Sequence, residues 1–213
     1  ITRALELDPD SADGIAVSGW HHYRRFRYTE AEENFDQAIA INPNHALAYL
    51  WRSETAYQQQ RYLDMLADKE KAYALDPMSL EISAQLAFDY RSFWRPRDAE
   101  RVIERMFELH PEHPLAFDAA IENLSSHGRS GEAALMAEKA MEAHPDNEDF
   151  RSWLSWMLMS IGLFDEATAL EDDQTDFFIA LYLGQMESAK SLVDRKLQEE
   201  RPRQWYWFAR MYY

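Results

Sequence analysis

Five prolines, Pro9, Pro43, Pro77, Pro111 and Pro145, stand 34 residues apart. They fall in near-identical phrases: "ALELDPDS" (4–11), "AIAINPNH" (38–45), "AYALDPMS" (72–79), "MFELHPEH" (106–113) and "MEAHPDN" (141–147). Proline lacks an N–H and disfavours helix at the residue before it, so each phrase is a helix stop. Asp8, Asn42 and Asp76, just before three of the prolines, are turn formers. A fixed period of this length marks a repeat architecture and excludes most other folds.

A second set of signals keeps the period. Ala31, Phe35 and Ala38 precede Pro43; Ala99, Ile103 and Met106 precede Pro111; Ala133, Ala137 and Ala140 precede Pro145. Steps of four and three put each set on one face of a helix. Upstream, Gly19, Ser53, Ala87 and Ser155 are small at one point of the grid, with Ile121 the exception. Gly128 and Gly162 mark a turn between the two halves of a unit. Each unit therefore reads helix, short turn, helix, proline stop. The spacing predicts helices at 1–7, 13–26, 29–41, 46–59, 62–75, 80–93, 96–109, 114–127, 130–143, 148–161 and 164–171. After residue 170 the grid slips: Gly162 to Gly184 and Ala167 to Ala189 are both 22 residues, so 12 are missing around "EDDQTD" (171–176). A shortened helix pair is expected there, followed by helices at about 176–183, 185–199 and 202–212.

The 34-residue unit resembles the tetratricopeptide (TPR) repeat, with "SGWHHYRRFRYTEAEENFDQAIAINPNHA" (18–46) the best match and about residues 1–170 in register. Unit 46–79 departs, with Met65 and Lys69 in place of the usual small and aromatic residues; Tyr57, one residue off the expected place, is read as filling that gap. The resemblance implies an all-α, TPR-type α-solenoid of antiparallel helix pairs stacked in a right-handed superhelix. Residues 1–213 are read as a single array: 1–11 end a preceding repeat, 12–45, 46–79, 80–113 and 114–147 are full repeats, and 148–213 are irregular or shortened. One pair cannot bury its own apolar face, whereas stacked pairs share a continuous core.

The resemblance also implies a binding scaffold whose concave groove is lined by the first helix of each pair. Carried over by position, the lining is Trp20, Tyr23 and Arg24; Leu50, Glu54 and Tyr57; Ala84, Phe88 and Arg91; Asp118 and Glu122; and Ser152, Trp156 and Met159. A peptide site is expected around Trp20, Tyr23, Glu54, Tyr57, Phe88, Arg91, Glu122 and Trp156. Rings alternating with carboxylates fit an extended peptide with apolar and basic side chains, although about half of the rings are expected to pack between helices. The clamp that one branch of the family uses for chaperone C-termini is absent: its places hold Ala16, Trp20, Leu50 and Glu54. More loosely, "NPNHALAYLWRSETAYQQQRYLDMLADKEKAYALDPMSLEISAQLAFDY" is similar to arrays that follow winged-helix or nucleotidyl cyclase domains in bacterial signalling proteins. That likeness implies a fragment of a larger regulatory protein. The alternative is a self-assembly or interdomain module serving an attached domain.

Composition bounds the rest. The chain is 46% hydrophobic, enough for a sizeable core, and its net charge of −16 argues against broad phosphate-backbone binding. There is no cysteine. No apolar run approaches the roughly 20 residues that span a bilayer, so no membrane partner is expected and a cytoplasmic location is. The chain starts at Ile1 and is read as a piece of a longer polypeptide. His110 and His113 are spaced like metal ligands, but His110 and His144 take the turn place held elsewhere by Asp or Asn. With no HExxH, Gly-rich phosphate loop or GxSxG, neither catalytic residue, metal nor cofactor is expected. "HHYRRFRY" (21–28) interleaves basic and aromatic residues, yet the acidic chain argues against nucleic acid binding through this region. "RQWYWFARMYY" (203–213) reads as the first helix of a unit cut short, or as an edge through which a homo-oligomer assembles.

Overall fold

The structure, a computed structural model, describes residues 11–170 and 173–197. The helices expected at 1–7 and 202–212, and the aromatic segment 203–213, lie outside the described residues. Among the described residues all regular structure is helical: α1 Ala12–Tyr23, α2 Tyr28–Ile41, α3 Ala46–Gln58, α4 Tyr62–Leu75, α5 Leu80–Ser92, α6 Pro96–Leu109, α7 Pro114–Ser126, α8 Ser130–Ala143, α9 Glu148–Ser160, α10 Phe164–Thr168, α11 Asp173–Tyr182 and α12 Met186–Leu197. None is long and apolar enough to cross a membrane. The chain divides into two compact units, one ending at Ala119 and one starting at Ala120, a division that falls inside α7. In the first unit, consecutive helices from α1 to α6 pack against each other and α1 also touches α3. In the second, α8 packs on α9, α9 on α10 and α11, and α11 on α12.

Local chemistry sets the helix ends. Ser11 Oγ accepts from Gly14 N at 3.3 Å, and Ser79 Oγ accepts from Ile82 N at 3.3 Å, so each hydroxyl satisfies a free first-turn donor. Pro96 opens α6, where its missing N–H has no partner to lose. At the proline stops, the N–H groups of Asn42, Asp76, His110 and His144 donate to Ala38, Ala72, Met106 and Ala140 O at 2.8–2.9 Å. His110 and His144 are thus helix-closing residues like Asn42 and Asp76.

The turn inside each pair is a second recurring device. Phe26, Gln60 and Trp94 have φ of 61°, 61° and 57°, and Gly128, Gly162 and Gly184 have 74°, 85° and 71°. The following N–H groups, of Arg27, Arg61, Arg95, Arg129, Leu163 and Gln185, reach back five residues to a carbonyl at 2.7–3.1 Å. This left-handed closure captures carbonyls that the helix end would leave unpaired. It also ends α1 at Tyr23, three residues before the predicted 26, because Phe26 reverses the chain although its type does not announce it.

Small-to-large contacts hold each pair together. Gly19 lies against Phe35: a Cβ at Gly19 would sit 2.7 Å from Phe35 Cε1 and 3.1 Å from Ala31 O. Gly19, Ala31, Phe35, Ala38, Ala99, Ala133 and Ala167 are all buried, as the grid requires. Ile121, the grid exception, is buried as well, and the matching position on the next helix, which holds Phe35 in the first pair, is Ala137. Large and small have changed places, which keeps the summed volume. The slipped repeat shows where its 12 residues went. The second helix α10 has 5 residues against 14 in α8, nine fewer, and α11 has 10 against 13 in α9, three fewer. Ala189 on α12 resumes the buried small position against Phe177, Ala180 and Val193.

Candidate protein-interaction site

In the first unit, α1, α3 and α5 present the same turn positions in each repeat. Trp20 stacks on Tyr23 (centroids 4.9 Å apart) and on Trp51 of α3 (5.4 Å), so it is half-buried between repeats. Tyr23 Oη accepts from Gln58 Nε2 at 3.3 Å, and burial pushes its hydroxyl pKa up. Both rings act partly as packing between neighbouring helices. Tyr57 and Phe88 are different, being 51% and 53% exposed. Tyr57 meets Tyr62 edge-on at 5.9 Å, and the Arg91 guanidinium lies 4.7 Å over the Phe88 ring. Leu50, a candidate lining residue, is instead buried with Ala72 and Ile82 and cannot meet a ligand. In the second unit, Trp156 is 43% exposed, packs edge-on against Phe178 at 5.4 Å, and Glu122 is half-buried.

Glu54 is engaged within the chain. Lys69 takes the grid position of Phe35 on the following repeat, and its Nζ lies 3.2 Å from Glu54 Oε1 and 2.8 Å from Asp89 Oδ2. The Lys69 and Asp89 side chains are each 8% exposed and Glu54 28%. Burial pushes the Asp89 carboxyl above its ordinary pKa; Lys69 pulls it back and Glu54 raises it further. The stem of Lys69 fills a core site while its charge ties α3, α4 and α5 together. In sequence Lys69 registers only as a departure from the repeat. Asp89, one residue after Phe88, carries no signal of its own, because a carboxylate on a helix is ordinarily solvated.

A second network binds the other side of this unit. Arg52 donates two hydrogen bonds to Asp68, at 2.6 and 2.8 Å, and one to Asp36 at 2.6 Å. Its fork spans α2, α3 and α4, and the Asp68 bonds hold its pKa above the ordinary arginine value. Tyr90 donates to Glu70 Oε1 at 3.0 Å; burial first, then Glu70, pushes its pKa up to about 12. Among the described residues no three side chains of metal-ligating type gather. His113 Nδ1 accepts from Leu115 N at 3.2 Å, a turn contact.

Stacked antiparallel pairs of near-constant length, with first helices that share a face, define a helical-repeat protein. Residues 17–77 match the family model described as "Tetratricopeptide repeat". The described chain has a TPR-type α-solenoid fold, and the match to the repeat family itself lies in residues 17–77. Over 60 residues it is 35% identical to a Dictyostelium discoideum protein described as a DnaJ homolog subfamily C member 7 homolog; the match covers 28% of this chain and 11% of that protein's length. Two solved structures share the fold. One is the Pseudomonas aeruginosa pilF protein (TM-score 0.67, 13% identity, 88% of this chain and 90% of that one). The other is YrrB, described as a TPR protein with an unusual peptide-binding site (TM-score 0.64, 17% identity, 86% of this chain and 97% of that one).

Proposed function

We propose that the chain is a non-catalytic protein-interaction scaffold that binds an extended polypeptide segment along the first-helix face, within a larger regulatory protein. One observation carries the reading. Tyr57 and Phe88, on consecutive first helices of the first unit, hold half their surface in solvent in the C-terminal halves of α3 and α5. The two rings stand 31 residues apart, at repeat positions one helical turn from each other, and neighbouring half-exposed rings on one face suit apolar side chains; such anchors often lose about 2 kcal/mol or more when truncated. Trp20, Tyr23, Glu54 and Arg91 complete that face; Trp156 and Glu122 are the corresponding residues of the second unit. The acid surplus, 38 to 22, favours a segment with basic side chains, and Glu54 keeps part of its carboxylate open on that face. YrrB, described as a TPR protein with an unusual peptide-binding site, has the same fold. The test is selection from a peptide library followed by titration of the selected sequence. Tyr57→Ala and Phe88→Ala are each expected to weaken binding over about 10-fold, and Glu54→Lys to weaken it for basic peptides. Glu104→Lys on α6 is expected to leave it unchanged. Equal loss with Glu104→Lys would place the partner elsewhere.

A further inference from the structure

The within-pair turns of the first unit, residues 24–28, 58–62 and 92–97, hold six arginines and no aspartate, glutamate or lysine, in a chain where acids outnumber bases 38 to 22. Helices α1, α3 and α5 run the same way in the stack, so these turns share one edge. Arg27, Arg61 and Arg95 bond the acids three residues on, Glu30, Asp64 and Asp98, at 3.0, 3.0 and 2.6 Å. Arg24, Arg25 and Arg97 are exposed and have no ion-pair partner among the described residues.

On the same edge Phe26 and Trp94 are each 79% exposed. They occupy the left-handed position that three later turns give to glycine. An L side chain there costs roughly 1–2 kcal/mol, and these two rings gain little burial in return. Strained backbone and bared rings at one edge are features that a stability argument alone would remove.

We infer that this edge is a second interaction surface, distinct from the first-helix face, and that its occupant is an acidic segment of a partner protein with apolar side chains among its carboxylates. Guanidinium forks match carboxylates two bonds at a time, and Phe26 and Trp94 receive the apolar side chains. Two first-helix steps of about 10 Å separate the two rings. An extended chain covers that distance in about six residues. A long nucleic acid would run on past the edge over a chain of net charge −16, whereas a short acidic segment meets only the edge.

The test uses a fluorescein-labelled peptide of about a dozen residues, rich in glutamate with two phenylalanines about six apart. Its comparison arms are the glutamine analogue, oligothymidylate, and vesicles of phosphatidylserine and phosphatidylcholine. The acidic peptide is expected to bind in a salt-sensitive way, tighter than any comparison arm. The double variant Phe26→Gly/Trp94→Gly relieves the positive φ, so its melting temperature is expected to rise while its affinity falls about 10-fold or more. Arg24→Ala/Arg25→Ala/Arg97→Ala is expected to weaken binding and flatten the salt dependence, and Arg105→Ala on α6 to change neither. The inference is overturned by unchanged affinity in either multiple variant, by equal loss in Arg105→Ala, or by tighter binding of the glutamine peptide, oligothymidylate or vesicles.

Discussion

Replacing Lys69 by methionine removes one charge from a nearly buried three-residue cluster and leaves the stem's volume in place. No cavity opens, so the effect is electrostatic. Glu54, at 28% exposure, can turn its carboxylate to water; Asp89, at 8%, cannot. Stranding one member of a buried ion pair costs about 3–5 kcal/mol. The lower end applies here, about 3 kcal/mol, because Asp89 escapes part of the penalty by taking up a proton.

That escape gives the prediction its pH signature. The folded-state pKa of Asp89 already lies above its ordinary value, with burial the main cause. A carboxyl raised in this way contributes stability below its unfolded pKa and loses it as pH rises through the folded pKa. Lys69 is the influence that holds the value down, so Lys69→Met moves the folded pKa higher still. Urea denaturation of both proteins at about pH 7.5 and about pH 4.5 is expected to show a stability gap near 3 kcal/mol that narrows in acid. Lys69→Met/Asp89→Leu is expected to recover most of the loss at neutral pH, since apolar replacement of a buried pair is often neutral or stabilising. A loss below about 1 kcal/mol, or a gap that ignores pH, would refute the electrostatic account.

Two more predictions concern the fold. Gly19→Ala is expected to lose about 1–3 kcal/mol, because its Cβ would sit 2.7 Å from the Phe35 ring; urea titration checks it, and unchanged stability would mean the pair is loosely packed. Gln60→Gly is expected to gain up to about 1 kcal/mol by relieving a φ of 61°; a lower melting temperature would contradict that reading.

The repeat was legible because its signals are local and recur. Proline stops, small residues facing large ones and the 22-residue slip all follow from backbone rules that a linear sequence states openly. The end of α1 was not legible, since Phe26 does the work of glycine and only its backbone angle shows it. The exchange at Ile121 and Ala137 also looks like a broken pattern until the facing position is read beside it. At the candidate site, Tyr57 and Phe88 are half-exposed, whereas Leu50 sits at a lining position and is buried. Helical spacing fixes a direction around an axis; how close the next repeat comes is decided by the sizes of its side chains. Glu54 shows the same limit for charge, because its partner Lys69 lies on a different helix at a place normally given to an apolar ring.

The departures from the repeat are therefore more informative about function than its regular positions. Regular positions are spent on stacking: Gly19, Ala31, Phe35 and Ala38 are buried and can tell a partner nothing. Phe26 and Trp94 stand where Gly128 and Gly162 show the turn to be satisfied by glycine. Lys69 stands where Phe35 shows an apolar ring to fit, and it brings Glu54 and Asp89 into one cluster beside Phe88. Phe26, Trp94 and Lys69 all lie in the first unit, which also bears the half-exposed rings Tyr57 and Phe88. The positive φ at Phe26 and Trp94 is a stability cost of the kind that selection tolerates where something else is gained, which is the reason the second surface inferred above is placed at that edge.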